Sequence, residues 1–168
     1  MKTLVCFGDS ITADEIFFDG TPRLTPRLQE MFPNWKVVNA GVPGDNTLDA
    51  LQRIEEDVLS HEPDFVTVFI GTNDSVLFDP VPLQSYKENL EEIVSAISPE
   101  KVLLISPAPV DEVARKTGSH FLNLYVEMIQ EENYKIFVED EEKDGLHFGA
   151  EGYAYLAKLI YEKLKGIL

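Results

Sequence analysis

The chain carries the residue types that nucleophilic catalysis by serine requires. A serine hydroxyl is a weak nucleophile on its own, so it needs a base within hydrogen-bond reach and a third group that orients this base. Ser10 stands in a Gly-Asp-Ser turn near the start of the sequence, and His147 follows Asp144 by three residues near its end. That spacing lets a turn bring the carboxylate to the imidazole, where it would hold one tautomer and stabilise the protonated ring. We interpret Ser10, His147 and Asp144 as candidate nucleophile, base and orienting acid.

The other two histidines are less well placed to act as the base. His61 comes just before a predicted strand that starts at Phe65, so it falls at the opposite edge of the predicted sheet and is interpreted as a surface residue at a helix C-terminus. His120 opens a predicted helix and could approach the edge that carries Ser10, but no carboxylate is placed to orient its ring. His147 is therefore the favoured base.

Acyl transfer also needs hydrogen-bond donors aimed at the oxyanion that develops on the substrate. Gly44 could offer its backbone N–H, because glycine lets the backbone approach a ligand closely. Asn73 could offer its side-chain amide, and the backbone N–H of Ser10 would be the third donor. Gly44 could also be a plain turn residue after Pro43, and Asn73 could belong to an Asx-turn. The catalytic interpretation is favoured because each residue follows a predicted strand.

Apolar periodicity predicts the elements that would position these residues. Short, continuously apolar runs predict buried strands at Thr3–Phe7, Lys36–Asn39, Phe65–Ile70, Lys101–Ser106 and Lys135–Val138. Apolar residues at helical spacing predict helices over Pro22–Phe32, Thr47–Ser60, Ser85–Ile97, Ser119–Asn133 and Gly149–Leu164. A competing interpretation places the fifth strand at Phe121–Val126. We favour it less, because it leaves a crossover of about a dozen residues after the fourth strand.

This alternation of strands and helices predicts an α/β fold with three layers, α/β/α, around a five-stranded parallel sheet in flavodoxin-like order. The 168 residues are of a length that one domain, residues 1–168, can account for. In such a sheet, ligands bind beyond the carboxyl ends of the strands. The turns that contain Ser10, Gly44 and Asn73 all follow strands, and Asp144 and His147 follow the fifth one. We therefore expect these residues to converge on one edge of the sheet.

Composition narrows the choice of partners. The chain has 14 Lys and Arg against 30 Asp and Glu, a net charge of −16, so nucleic acid and stable association with an anionic membrane are disfavoured. Its one cysteine, Cys6, lies in an apolar strand and is expected to be a buried core residue. The sequence opens directly on that strand without a signal peptide, which predicts a cytoplasmic location. A monomer and a homodimer both fit the sequence.

These motifs resemble the GDSL/SGNH hydrolase superfamily, whose signature residues are serine, glycine, asparagine and histidine. The matching segments are Phe7-Gly8-Asp9-Ser10, Gly41-Val42-Pro43-Gly44-Asp45, Gly71-Thr72-Asn73-Asp74 and Asp144-Gly145-Leu146-His147. The resemblance runs from Thr3 to about Leu164 and implies esterase or lipase chemistry on a flavodoxin-like fold. It implies Ser10 as nucleophile, Gly44 and Asn73 as oxyanion donors, His147 as base and Asp144 as the triad acid.

Further segments are similar to the isoamyl-acetate-hydrolysing esterase branch of this superfamily. They are the run Val68–Asp74, the residues Val81, Pro82, Leu83 and Tyr86, and the run Ser106–Glu112. Two segments depart from the family pattern. Family members commonly place a glycine and an aromatic residue soon after the Ile-Thr that follows the serine, whereas this chain continues with Ala13 and the loop Asp14–Gly20. The segment Glu139–Lys143 is short and acidic. The first departure lies beside Ser10, so it bears on the choice of substrate.

The sequence thus predicts a carboxylic-ester hydrolase that acts on a small-molecule ester with a short acyl chain and needs no metal and no other cofactor. Candidate substrate contacts are Phe17, Phe18, Val42, Phe78, Pro109 and Phe148. Alternatives on the same fold are a carbohydrate deacetylase, a thioesterase and a lysophospholipase. A non-catalytic flavodoxin-like binding module is a further alternative, disfavoured because no phosphate-binding glycine motif is present.

Overall fold

The computed structural model describes residues 1–75, 80–105, 110–131 and 147–168. The strands are β1 (Lys2–Gly8), β2 (Trp35–Gly41), β3 (Phe65–Phe69), β4 (Val102–Ile105) and β5 (His120–Leu122). The helices are α1 (Ser10–Ala13), α2 (Leu24–Met31), α3 (Thr47–Asp57), α4 (Leu83–Ile97), α5 (Val110–Thr117), α6 (Leu124–Ile129) and α7 (Ala150–Lys165). Single 3₁₀ turns cover Leu59–His61, Asn73–Ser75 and Pro99–Lys101. None of the helices in these ranges is long and apolar enough to cross a membrane.

The five strands form one parallel sheet in the order β2-β1-β3-β4-β5. The three central strands β1, β3 and β4 bury both faces, and alternate residues of β1 show how. Val5 and Phe7 point into a core shared with α3, α4 and α5, whereas Leu4 and Cys6 point into a second core shared with α2 and α7. The predicted three-layer α/β/α architecture and the flavodoxin-like order are confirmed. Cys6 is buried as expected, and burial raises the pKa of its thiol to about 12.

The fifth strand is where the structure departs from the sequence prediction. Residues 120–122 were predicted as part of a helix over Ser119–Asn133, and that prediction is wrong there: they form β5, which pairs with β4 in parallel. The disfavoured alternative, a strand at Phe121–Val126, overlaps the observed β5 at Phe121 and Leu122. Lys135–Val138, the predicted position of the strand, lies outside the described residues.

Two local features explain this outcome. The eight-residue helix α5 supplies the crossover from β4 and packs Val113 and Ala114 into the core, so a short connection suffices. The side chain of Asn123 then accepts a hydrogen bond from the Val126 N–H at 3.1 Å and caps α6. Because the helix starts only after this cap, the preceding residues stay extended beside β4.

The outer strand β2 has part of its backbone occupied by a side chain. The amide of Gln29, on α2, donates to the Trp35 carbonyl at 2.9 Å and accepts from the Val37 N–H at 3.1 Å. The glutamine thus bonds to this strand in the way a neighbouring strand would.

Candidate active site

Ser10 lies at the first residue of α1, directly beyond the carboxyl end of β1. Asp9 caps this one-turn helix, accepting a hydrogen bond from the Ile11 N–H at 3.0 Å. Gly8 allows the tight packing of the turn, because a Cβ there would lie 2.4 Å from the Phe69 carbonyl oxygen and 2.5 Å from Thr12 Oγ1. Gly8 and Asp9 therefore each have a structural reason in this turn, which leaves Ser10 half-buried at the sheet edge.

The structure brings Ser10 and His147 together across 137 positions of sequence. Ser10 Oγ lies 2.9 Å from His147 Nε2, within hydrogen-bond distance. His147 precedes α7, and the next residue, Phe148, is buried in the core with its ring edge-on to Tyr153. Packing of Phe148 therefore holds the histidine beside the serine. Asp144, the predicted orienting acid, lies outside the described residues.

Asp9 is a buried carboxyl next to this pair. The residue is 1% exposed, and its Oδ2 atom has no hydrogen-bond partner among the described residues. Burial raises the pKa of Asp9 to about 6, while the Ile11 N–H and the charge of His147 favour the ionised form. Asp9 therefore adds a titratable group beside the candidate base.

The two candidate oxyanion donors, Gly44 and Asn73, lie on adjoining loops. Gly44 has φ of +86° and open space where a Cβ would be, so glycine fits this left-handed turn and leaves its backbone accessible. Asn73 Nδ2 donates to the Asp45 carbonyl at 2.9 Å. That bond uses one of the two N–H groups of the amide and ties the Asn73 loop to the residue after Gly44.

A buried carboxylate fixes both loops. Asp74 is 4% exposed, and its two oxygens accept from the Thr47 backbone N–H at 3.1 and 3.2 Å and also from the Thr47 hydroxyl. Asn89 donates to the same hydroxyl at 2.9 Å. Burial raises the pKa of Asp74, and the bonds from Thr47 oppose that shift. The carboxylate thus joins the residue after Asn73 to the first turn of α3, near Gly44.

Arg53 makes a second connection beneath the loops. Its guanidinium is paired with Asp45, donates to the Gly8 carbonyl at 2.9 Å and to the Ala40 carbonyl at 2.9 Å, and lies over the Phe7 ring. The carboxyl ends of β1 and β2 and the loop after Gly44 are therefore held by one side chain. Sequence reasoning missed Arg53 and Asp74, although the position of Arg53 beside Ala50 and Ile54 on the buried face of α3 was a usable signal.

The loop Asp14–Gly20, which follows α1, is held differently. The ring of Phe17 packs edge-on to Tyr153, whereas Phe18 is fully exposed. Of the other predicted substrate contacts, Val42 is at the surface and Phe148 is in the core. Phe78 and Pro109 lie outside the described residues.

The remaining histidines lie away from Ser10. His61 ends a 3₁₀ turn before β3. His120 begins β5 and stacks on Phe65, the first residue of β3, so it lies at the amino-terminal edge of the sheet. The expectation that His120 opens a helix is wrong. Within the described ranges, no group of three or more His, Cys, Asp or Glu side chains is arranged to hold a metal ion.

Comparison with known sequences identifies one family and several esterases that resemble this chain. Residues 6–113 match the model of the GDSL-like lipase/acylhydrolase family. A GDSL esterase/lipase of Arabidopsis thaliana is 38% identical over 135 residues, covering 68% of this chain and 53% of that protein. An isoamyl acetate-hydrolyzing esterase 1 homolog of Rattus norvegicus is 36% identical over 125 residues, covering 66% of this chain and 49% of that protein. An acetylxylan esterase of Geobacillus stearothermophilus is 28% identical over 130 residues, covering 68% of this chain and 59% of that protein.

The matches cover about half the length of these curated relatives. Among solved structures, the lipase/acylhydrolase from Enterococcus faecalis superimposes with a TM-score of 0.87 at 32% sequence identity. That similarity covers 99% of this chain and 96% of the other.

Proposed function

This chain belongs to the GDSL-like lipase/acylhydrolase family, and we propose that it hydrolyses short-chain carboxylic esters through a Ser-His-Asp triad and an acyl-enzyme. The observation that carries the proposal is the 2.9 Å separation between Ser10 Oγ and His147 Nε2. A histidine at that distance can act as general base for the hydroxyl. Asp144 is proposed to accept a hydrogen bond from the other ring nitrogen, as its spacing from His147 predicts.

The proposed reaction has two halves. Ser10 Oγ attacks the acyl carbonyl carbon as His147 takes the hydroxyl proton, and the carbonyl π electrons move to oxygen to give a tetrahedral oxyanion. The intermediate collapses, the C–O bond to the alcohol breaks, and His147 returns its proton to the leaving oxygen. Water then attacks the acyl-enzyme with the same base, and the carboxylic acid leaves as Ser10 regains its proton.

The oxyanion is proposed to be bound by the backbone N–H groups of Ser10 and Gly44 and by the Asn73 amide. Support comes from the constraints on these groups before substrate binds. The bond from Asn73 to Asp45 orients the amide, and Asp74 immobilises the adjoining backbone. Donors that are already oriented need little reorganisation as charge develops, which is the property that makes such sites effective.

The predicted preference for short acyl chains is supported by the surroundings of the serine. Among the described residues of the two loops beside it, the exposed large apolar side chains are Ile16, Phe18 and Val42. A few apolar side chains of this kind suit the small apolar surface of a short acyl group.

Acetylated carbohydrate is a second candidate substrate class. The observation that favours it is the similarity to an acetylxylan esterase. Phe18, fully exposed on the loop after the nucleophile, is a side-chain type against which sugar rings pack. Both candidates share the acetyl group and the same chemistry, so they differ only in the alcohol that leaves.

The test of the mechanism is covalent labelling with a fluorophosphonate, followed by peptide mapping. We expect one phosphonyl adduct, on Ser10, and loss of labelling in Ser10→Ala. The matched control is Ser60→Ala, which removes an exposed serine hydroxyl before β3 and should label like the parent protein. An adduct on another residue, or equal labelling of Ser10→Ala, would contradict the proposal.

Substrate class is tested by comparing kcat/KM across p-nitrophenyl esters from acetate to palmitate and across acetylated xylooligosaccharides. We expect the highest values for acetate to butyrate among the aryl esters. A maximum at palmitate would contradict the short-chain proposal. A value for acetylated sugar well above that for the aryl acetate would identify the carbohydrate as the preferred alcohol.

A further inference from the structure

The nucleophile helix is too short to position itself. The helix α1 spans a single turn, which is joined to Asp9 by bonds from the Thr12 and Ala13 N–H groups to the Asp9 carbonyl, at 3.1 and 3.0 Å. The last carbonyls of a helix have no partners within it, and a single turn has little stability of its own. The location of Ser10 must therefore be set by contacts from outside α1.

Two side chains from distant parts of the sequence supply these contacts. Arg23 Nη2 donates to the Ser10 carbonyl at 3.3 Å, and the Tyr153 hydroxyl donates to the Ile11 carbonyl at 2.8 Å. Arg23 also donates to the Tyr153 hydroxyl, so the two side chains form one connected unit. We call Arg23 and Tyr153 the carbonyl clamp.

The carbonyl clamp is built into the protein interior. The Tyr153 residue is fully buried, and the Arg23 side chain is only 11% exposed. The guanidinium lies over the rings of Phe17 and Tyr153, at 5.3 and 4.8 Å from their centroids, and pairs with Asp14 at 2.8 Å. A buried guanidinium with these bonds has little freedom to move, so the α1 carbonyl that it bonds is held in one position.

The location of Tyr153 connects the clamp to the base. Tyr153 stands in the first turn of α7, and His147 lies just before that helix. The ring of Phe148, the neighbour of His147, packs edge-on to Tyr153 at 5.7 Å. One tyrosine therefore contacts both the helix that carries the nucleophile and the residue beside the base.

We propose that Arg23 and Tyr153 are positioning residues that set the separation between Ser10 Oγ and His147 Nε2. The proposal rests on the proposed function, because it assigns the two residues a role in the same reaction. Neither side chain needs to touch the ester. Each acts through the backbone of α1, and small displacements of a reacting atom are costly, with about 1 Å enough to lower a rate by about 100-fold.

The first test is Tyr153→Phe, which removes only the hydroxyl and keeps the ring between Phe17 and Phe148. We expect kcat for p-nitrophenyl acetate to fall by about 10-fold with KM within about two-fold, because a looser serine affects the chemical step. The rate constant for fluorophosphonate labelling should fall by a similar factor. Activity is expressed per labelled site, so unfolded protein does not contribute.

Arg23→Lys sharpens the test, because lysine keeps the charge but lacks the planar fork that reaches two acceptors. We expect a fall in kcat at least as large as that of Tyr153→Phe. The control is Tyr161→Phe, which removes a hydroxyl from the same helix where its ring packs on Phe32, far from Ser10. Its kcat and labelling rate should equal those of the parent protein.

The outcomes separate this inference from the proposed function. If Tyr153→Phe lowers the melting temperature but leaves kcat per labelled site unchanged, the role is structural and the inference is overturned. If the parent protein neither labels nor hydrolyses esters, the proposed function fails. The inference is then still decided by a crystal structure of Tyr153→Phe, in which we expect the Ser10 Oγ to His147 Nε2 distance to exceed 3.5 Å; an unchanged distance overturns it.

Discussion

Two regions flank Ser10, and they are held in place by different means. The loops after β2 and β3, which carry the proposed oxyanion donors Gly44 and Asn73 and are called the oxyanion loops below, are fixed from below by two side chains. Asp74 bonds Thr47, and Arg53 bonds the Gly8 and Ala40 carbonyls and the Asp45 carboxylate. The loop after α1 is held mainly at its base, by Arg23 and by the packing of Phe17, while Phe18 is fully exposed.

The difference matches what each region is proposed to do. Donors for an oxyanion must be oriented before the charge appears, so a buried polar network suits them. A loop that contacts different alcohols or acyl groups can change its side chains without loss of stability when those side chains are not packed in the core. We therefore expect substitutions in the oxyanion loops to change both rate and stability, and substitutions at the tip of the other loop to change only substrate preference.

The largest expected effect is that of Asn73→Ala. Removal of one oxyanion donor should lower kcat by about 100- to 1000-fold with a much smaller change in KM. The measurement is steady-state hydrolysis of p-nitrophenyl acetate, and Asn34→Ala, at an exposed turn before β2, is the control. A change in KM alone would mean that Asn73 binds substrate without stabilising the oxyanion.

The second prediction compares one carboxylate from each region. Asp74→Ala leaves the Thr47 N–H and hydroxyl without their buried acceptor, so the free energy of unfolding should fall by about 2–4 kcal/mol. Asp14→Ala removes an ion pair whose carboxylate is 66% exposed, so water can take its place beside Arg23 and the loss should be smaller, at most about 1 kcal/mol. Urea denaturation measures both values. Equal losses would remove the proposed contrast between the two regions.

The smallest expected effect is that of Phe18→Ala. A fully exposed ring contributes little to folding, so the melting temperature should stay within about 1 °C of that of the parent protein. The ratio of kcat/KM for acetylated xylooligosaccharide to that for p-nitrophenyl acetate should change by a few-fold. If both values of kcat/KM and their ratio are unchanged, the loop tip has no part in substrate choice.

Much of the fold followed from apolar periodicity, because long strands and amphipathic helices carry a strong repeating signal. The position of the fifth strand did not follow from this periodicity, since β5 has three residues and the helix after it begins only at the cap formed by Asn123. The position of Ser10 at the carboxyl edge was predictable from topology, as parallel strands bring their carboxyl ends to one edge. The prediction for His147 relied on a fifth strand at Lys135–Val138 directly before it, whereas β5 ends at Leu122 and is followed by α6.

The residues that support the site were not predictable in the same way. Tyr153 lies within the predicted helix Gly149–Leu164, and nothing in the local sequence indicates that its hydroxyl reaches a carbonyl 142 positions earlier. Arg23, Arg53 and Asp74 likewise owe their roles to partners that are close only in the folded chain. Local patterns identify candidate catalytic residues, whereas supporting contacts depend on three-dimensional packing.

The side-chain amide of Gln29, which extends from α2 and bonds to the backbone of β2, has a consequence for association between molecules. An outer strand normally offers free N–H and carbonyl groups on which a strand of another chain can add, and such addition begins many aggregates. Because Gln29 already bonds to the Trp35 carbonyl and the Val37 N–H, an incoming strand would first have to displace it. The longer outer strand of this sheet therefore carries its own protection against polymerisation.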